Sequence, residues 1–293
     1  PVQVNYAFSI LFLAMLSVGW AAIFIRWCDG IDPLLISFYR MAWATALLLP
    51  VSLIRAKKIF VGISRRDFLM MVFIGFILAL HFGTWISSLF YTTVASSTVL
   101  VTTQPIFLVL FSMLFTSEKV RGTSILAILL AFSGAIVIGL GDLRFTGDYI
   151  KGDLLAIAGA VCVAIYLFLG RQVRQRVANL AYVQIVYASS ALFLLAGVLI
   201  FSDFSYDFPL RQHIWLLCLG LIPTVLGHTL YSWALKQMRA YLVGTSILGE
   251  PVGASFYAWL IFKEIPPETT IYGALLIFAG VVTLFYSERK NIA

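Results

Sequence analysis

Charge is what this sequence has least of. Only 11% of its 293 residues are Asp, Glu, Lys or Arg, against about 25% in soluble domains. With 61% hydrophobic residues and a mean hydropathy of +0.99, a water-soluble domain is excluded and an integral membrane protein remains. Cysteine is scarce too. Cys28, Cys162 and Cys218 lie in or beside apolar segments without C-x-x-C or other metal-ligand spacing, which suggests neither a disulfide framework nor a zinc site. No D-D-x-x-D, H-E-x-x-H or G-x-S-x-G occurs, so an intramembrane transferase stays a remote alternative and no catalytic residue, metal or cofactor is expected. The first apolar run lacks a basic leader segment and reads as a retained helix.

What is abundant is apolar length. A helix needs roughly 20 apolar residues to cross a hydrocarbon core of about 30 Å. Ten runs qualify: 6–26, 33–54, 68–90, 94–115, 122–141, 152–170, 180–201, 211–235, 241–262 and 269–287. Loops are short. With the N-terminus cytoplasmic, fourteen Lys and Arg fall in inner loops and the tail, five in outer loops, and Arg40 inside a span. That excess puts both termini inside. Topology accounts for the net charge of +7, and no nucleic-acid partner is expected.

A shift of 146 residues aligns the two halves. Gln104-Pro105 falls on Glu250-Pro251, Glu118 on Glu264, Phe132 on Phe278, Gly134 on Gly280, Leu89 on Leu235, and Trp85 on Tyr231. The register runs from the third helix of each half to the fifth and is lost before that. Five helices per unit is odd, so the second copy enters the membrane from the opposite side. The expected fold is all-α: ten transmembrane helices as two inverted-topology five-helix repeats, residues 1–145 and 146–293. Such pairs commonly build secondary transporters.

The segments "SLFYTTVASSTVLVTTQPIFLVLFSMLFTSEKVRGTSILAILLAFSGAIVIGL" and "ALKQMRAYLVGTSILGEPVGASFYAWLIFKEIPPETTIYGALLIFAGVVTLF" resemble the tandem unit of the drug/metabolite transporter superfamily in its ten-helix EamA type. The many tryptophans and the segment "ALHFGTWISSLFYTT" are most similar to bacterial aromatic amino-acid exporters. The resemblance implies a multi-pass transporter of the bacterial inner membrane, with a small-molecule substrate, amino acids foremost, and lipid as partners. Carriers of nucleosides, drugs or phosphorylated solutes are the alternative; homo-oligomer and monomer both stay open.

The expected binding residues are Trp20, Arg40, His81, Trp85, Thr103, Gln104, Tyr166, His228, Tyr231, Ser246 and Glu250. Gln104 and Glu250 sit roughly 14 to 16 Å deep, each before a proline (Pro105, Pro251) that kinks its helix and frees backbone carbonyls. Either they present polar groups to a central site or they lock the halves together. Arg40, at an insertion cost of at least roughly 2.5 to 3.5 kcal/mol, needs a partner: Glu250, a substrate carboxylate, or the outer interface reached by snorkelling. His81 and His228 are one residue out of repeat register, a slip expected to turn their faces about 100° apart. Each is a proton-relay or gate residue, or a neutral ring bonded to a carbonyl. Trp20, Trp85, Tyr166 and Tyr231 are candidate walls for a planar or apolar body. Small residues recur every four positions at Ala127, Ala131, Ala135 and Gly139, and at Gly152, Ala156, Ala160 and Ala164. Those faces join the halves or a second protomer.

Overall fold

The computed structural model describes residues 2–92, 94–116, 120–140, 147–263 and 268–292; Glu118, Lys119, Arg144, Glu264 and the boundary between the halves lie outside them. Every regular element among the described residues is helical. In lipid this follows from backbone hydrogen bonding, which a helix satisfies within one segment.

The first span comprises α1 (Val2–Val18) and α2 (Ala21–Trp27). Asp32 then opens α3 (Pro33–Ile54), accepting from Leu34 N at 2.8 Å with Pro33 at the first helical position, where a missing N–H costs nothing. A short α4 (Ala56–Ile59) leads to α5 (Arg65–Ser88), capped by Ser64, whose Oγ accepts from Asp67 N at 3.0 Å. The fourth run is broken into α6 (Val94–Val101) and α7 (Gln104–Phe115), and α8 (Gly122–Leu140) follows. In the second half, α9 (Gly147–Arg174) and α10 (Asn179–Phe201) are continuous. The eighth span is α11 (Leu210–Leu219), a π-helical stretch (Gly220–His228) and α12 (Thr229–Gln237). The ninth run is α13 (Ala240–Ser246), a 3-10 turn (Ile247–Gly249) and α14 (Glu250–Phe262); α15 (Glu268–Ile292) is last.

Eight of the ten expected runs are helical stretches long and apolar enough to cross a membrane, and the fifth is the apolar helix α8. The ninth run is three successive helical pieces from Ala240 to Phe262. Its glycines and the Glu250-Pro251 pair divide it, so the carboxylate opens a half-helix instead of standing inside a kinked one.

Both stripes of small residues are consumed within the chain. Ala127, Ala131 and Ala135 are buried where α8 packs along α15, and Ala156, Ala160 and Ala164 are buried on α9, which packs along α5. At the α8–α15 crossing the approach is backbone to backbone. A Cβ at Gly134 would lie 2.5 Å from Gly273 O, and one at Gly280 would lie 2.6 Å from Ala127 O and 2.5 Å from Ala131 N. These contacts are reciprocal under the 146-residue shift. A similar reciprocity, with the two glycines 145 residues apart and their partners 146, reaches helices where the sequence loses the register: Gly75 abuts Val186 O and Ser189 Cβ, while Gly220 abuts Arg40 O and Trp43 Cβ.

One end of the bundle is laced by polar side chains. Arg171 donates to Leu235 O and Met238 O, the buried Arg174 to Ser232 O and Val177 O, and Arg176 pairs with Asp67 at 2.7 Å. At the same end Glu288 accepts from Ser124 at 2.6 Å and faces Arg239 at 3.5 Å.

Candidate functional site

A central cavity lies where α3, α5, the two broken helices and the eighth span converge. Arg40, His81, Phe82, Trp85, Thr102, Gln104, His228, Tyr231 and Glu250 line it, with apolar filling from Val18, Val101, Val163 and Ile247. In this conformation it offers about 20 Å³ to water centres, room for about one water molecule.

Gln104 and Glu250 reach the cavity because Gln104-Pro105 and Glu250-Pro251 each begin a helix. Proline fits there because the first turn has no partner for its N–H. The N-terminal dipole of α14 favours the Glu250 carboxylate placed on it. Carbonyls before the breaks are taken by hydroxyls: Thr102 donates to Val99 O and Thr103 to Leu100 O, both at 2.8 Å, and Ser246 to Val243 O at 2.6 Å. Irregular backbone at this depth thus faces protein and cavity, as lipid demands.

Arg40 is fully buried, so snorkelling to an interface is overturned. Its Nε donates to Thr224 Oγ1 at 2.9 Å, and its guanidinium carbon lies 4.0 Å from the Phe82 ring centroid and 5.9 Å from that of Trp85. Its Nη1 has no hydrogen-bond partner. Glu250 lines the same cavity without a salt bridge to Arg40 and without a hydrogen bond among the described residues. Two opposite charges therefore share one space unpaired. Trp85 Nε1 adds a second buried donor without a partner. An unmet buried donor costs about 1 to 3 kcal/mol, so this constellation suits a ligand that brings acceptors.

The histidines depart from expectation. His81 and His228 line one cavity despite the register slip. His81 and Trp85 are four residues apart, His228 and Tyr231 three, and both spacings keep side chains on one helical face. The slip is absorbed within a turn. His81 Nδ1 donates to Gly159 O at 2.9 Å and its ring stacks on Trp85. His228 instead sits among the rings of Phe82, Tyr166 and Tyr231, at 5.3, 6.5 and 6.3 Å.

Trp20, Thr103, Tyr166 and Ser246 lie off the cavity wall. Tyr166 is fully buried behind His228. Trp20 stacks on Tyr257 at 4.4 Å. Thr103 and Ser246 spend their hydroxyls on backbone, while their neighbours Thr102 and Ile247 face the space. Gln104 Nε2 reaches Gly244 O at 3.4 Å, a long bond across the halves. Sequence reasoning missed Phe82, whose helical phase beside His81 and Trp85 was available, and Thr224, which nothing in the local sequence marks.

Residues 5–140 and 150–286 each match the EamA-like transporter family. The pseudopaline exporter CntI of Pseudomonas aeruginosa (strain UCBPP-PA14) is 26% identical over 256 residues, covering 87% of this chain and 86% of that protein. The uncharacterized transporter YoaV of Bacillus subtilis (strain 168) is 25% identical over 272 residues, covering 89% and 90%. A solved structure described only as the crystal structure of a protein superposes with a TM-score of 0.78 over 99% of both chains at 20% identity, which shows a shared fold. With its family matched twice across nearly its whole length, the chain belongs to the EamA-like transporter family: it is a multi-pass membrane transporter and not an enzyme.

Proposed function

We propose that this transporter exports amino acids, or similar small amphipathic metabolites, from the cytoplasm by alternating access through the central cavity. What carries the proposal is the unpaired Arg40 and Glu250 in one aromatic-walled space. A zwitterion offers a carboxylate to Arg40 Nη1 and an ammonium to Glu250, while Trp85, His81 and Tyr231 pack against its body. Arg40 is the one Lys or Arg on the cavity wall among the described residues, which argues against phosphorylated cargo, whose charge calls for several.

Two inverted five-helix repeats, residues 1–145 and 146–293, supply the two access states. The reciprocal Gly134–Gly273 and Gly280–Ala127 contacts support them, since reciprocity under a fixed shift is what a two-fold axis produces. Opening requires the helices around the closed cavity to part, and the polar lacing of Arg171, Arg174 and Glu288 is what one end must release. The excess of Lys and Arg puts that end, with both termini, in the cytoplasm, and the membrane is the bacterial inner membrane. Export is supported by the relative named as a pseudopaline exporter.

The test is counterflow in liposomes reconstituted with the purified chain, screening all amino acids and, in parallel, nucleosides. Exchange of amino acids is the expected result. Exchange of nucleosides alone would replace this substrate class.

A further inference from the structure

We propose that Thr224, which lies outside the cavity wall, is a positioning residue that aims Arg40 at the carboxylate of the substrate and so sets selectivity for carboxylate-bearing cargo. The proposal rests on the amino-acid reading of the cavity. Its geometry begins with Pro223. A proline has no N–H, so in the usual helical pattern the carbonyl four residues earlier, that of Leu219, loses its donor. The backbone answers with the π-helical stretch Gly220–His228, a form that recurs at functional sites. Thr224 Oγ1 donates its single proton to Leu219 O at 3.1 Å.

With its proton committed, the Thr224 hydroxyl can only accept, and it accepts from Arg40 Nε at 2.9 Å. Close approach makes this reach possible: Gly220, one turn before Thr224, lets the stretch rest against Arg40 O and Trp43 Cβ of α3. Tyr187 braces the same turn, its Oη lying 3.5 Å from Thr224 O and 3.2 Å from Thr229 Oγ1.

The guanidinium is thereby fixed at two points. Nε is held by Thr224 and the planar face lies over Phe82. Because the guanidinium is rigid and planar, these two restraints decide where its remaining donors point. Nη1, fully buried and without a partner, is among the donors left for a ligand in the cavity that Arg40 lines. Thr224 touches no substrate in this arrangement. Its effect passes through Arg40.

The experiment measures equilibrium binding of L-tryptophan and of L-tryptophanamide, which lacks the carboxylate, to the purified full-length chain and its Thr224→Val and Thr224→Ser variants. Valine keeps the shape and removes the hydroxyl; serine keeps the hydroxyl. Thr224→Val is expected to weaken tryptophan binding about tenfold, the scale of a hydrogen bond to a charged group, and the amide much less; Thr224→Ser restores the difference. A purely structural role would weaken both probes alike, and that outcome, or no change in either, overturns the proposal. Wild-type protein that binds the two probes equally also overturns it, leaving amino-acid transport standing. Wild-type protein that binds neither overturns the amino-acid reading with it. Should Thr224→Val fail to fold, Thr224→Ala serves instead: it also removes the hydroxyl that Arg40 Nε donates to and is expected to give the same selective loss.

Discussion

At the scale of single residues, two groups of opposite charge are buried in one cavity without a direct ion pair. Arg40 and Glu250 stood out in the sequence because each is a charge within an apolar run. That they share a cavity without pairing was not legible, since no spacing relates α3 to α14. Arg40→Gln is expected to raise the KM for a zwitterionic amino acid about tenfold or more while sparing its decarboxylated amine. Glu250→Gln should do the converse, weakening the amino acid and the amine but sparing the N-acetylated acid. Initial-rate uptake of the analogues into liposomes separates these outcomes; loss of all three together in either variant would mark a structural lock between the halves. The histidines show where one-dimensional reasoning fails. A slip of one residue reads as a turn of the face, yet three-residue and four-residue spacings both fit one face, and His81 and His228 meet in the same space.

At the scale of elements, broken helices do the positioning. Gln104-Pro105 and Glu250-Pro251 marked both break points in the sequence, but their form, a helix restarted at the polar residue, depended on hydroxyls bonding the preceding carbonyls. Pro251→Ala restores a backbone donor and favours a continuous helix. Transport is expected to fall about tenfold or more while the thermal midpoint changes little, because a proline in the first turn displaces no intrahelical hydrogen bond. A variant with full transport would show the break to be dispensable. The α8–α15 crossing makes a different prediction. Valine at Gly134 or at Gly280 would meet backbone at 2.5 Å, and each substitution is expected to cost about 1 to 3 kcal/mol. Reciprocal contacts predict similar losses at the two sites, which thermal unfolding of the purified variants measures.

At the scale of the whole molecule, the membrane class and the doubled unit were legible from composition and the 146-residue shift. Both survive in the helical fold and in the two family matches. What the shift could not reach was the front of each half. There Arg40 answers to Val186 and Trp43 to Ser189, pairs with no chemical likeness that only reciprocal packing against Gly220 and Gly75 reveals. Arg174 was likewise counted as a loop cation and is buried, tying helix ends together, because charge counting registers position along the chain and not burial. The central claim is that the cavity carries a zwitterion between Arg40 and Glu250. It is tested most directly by counterflow of labelled L-tryptophan into liposomes preloaded with unlabelled tryptophan, for wild-type protein and Arg40→Gln side by side. Rapid exchange by the wild type, cut about tenfold or more at low substrate in the variant, is the predicted result; no amino-acid exchange by the wild type, or undiminished exchange by Arg40→Gln, would contradict it.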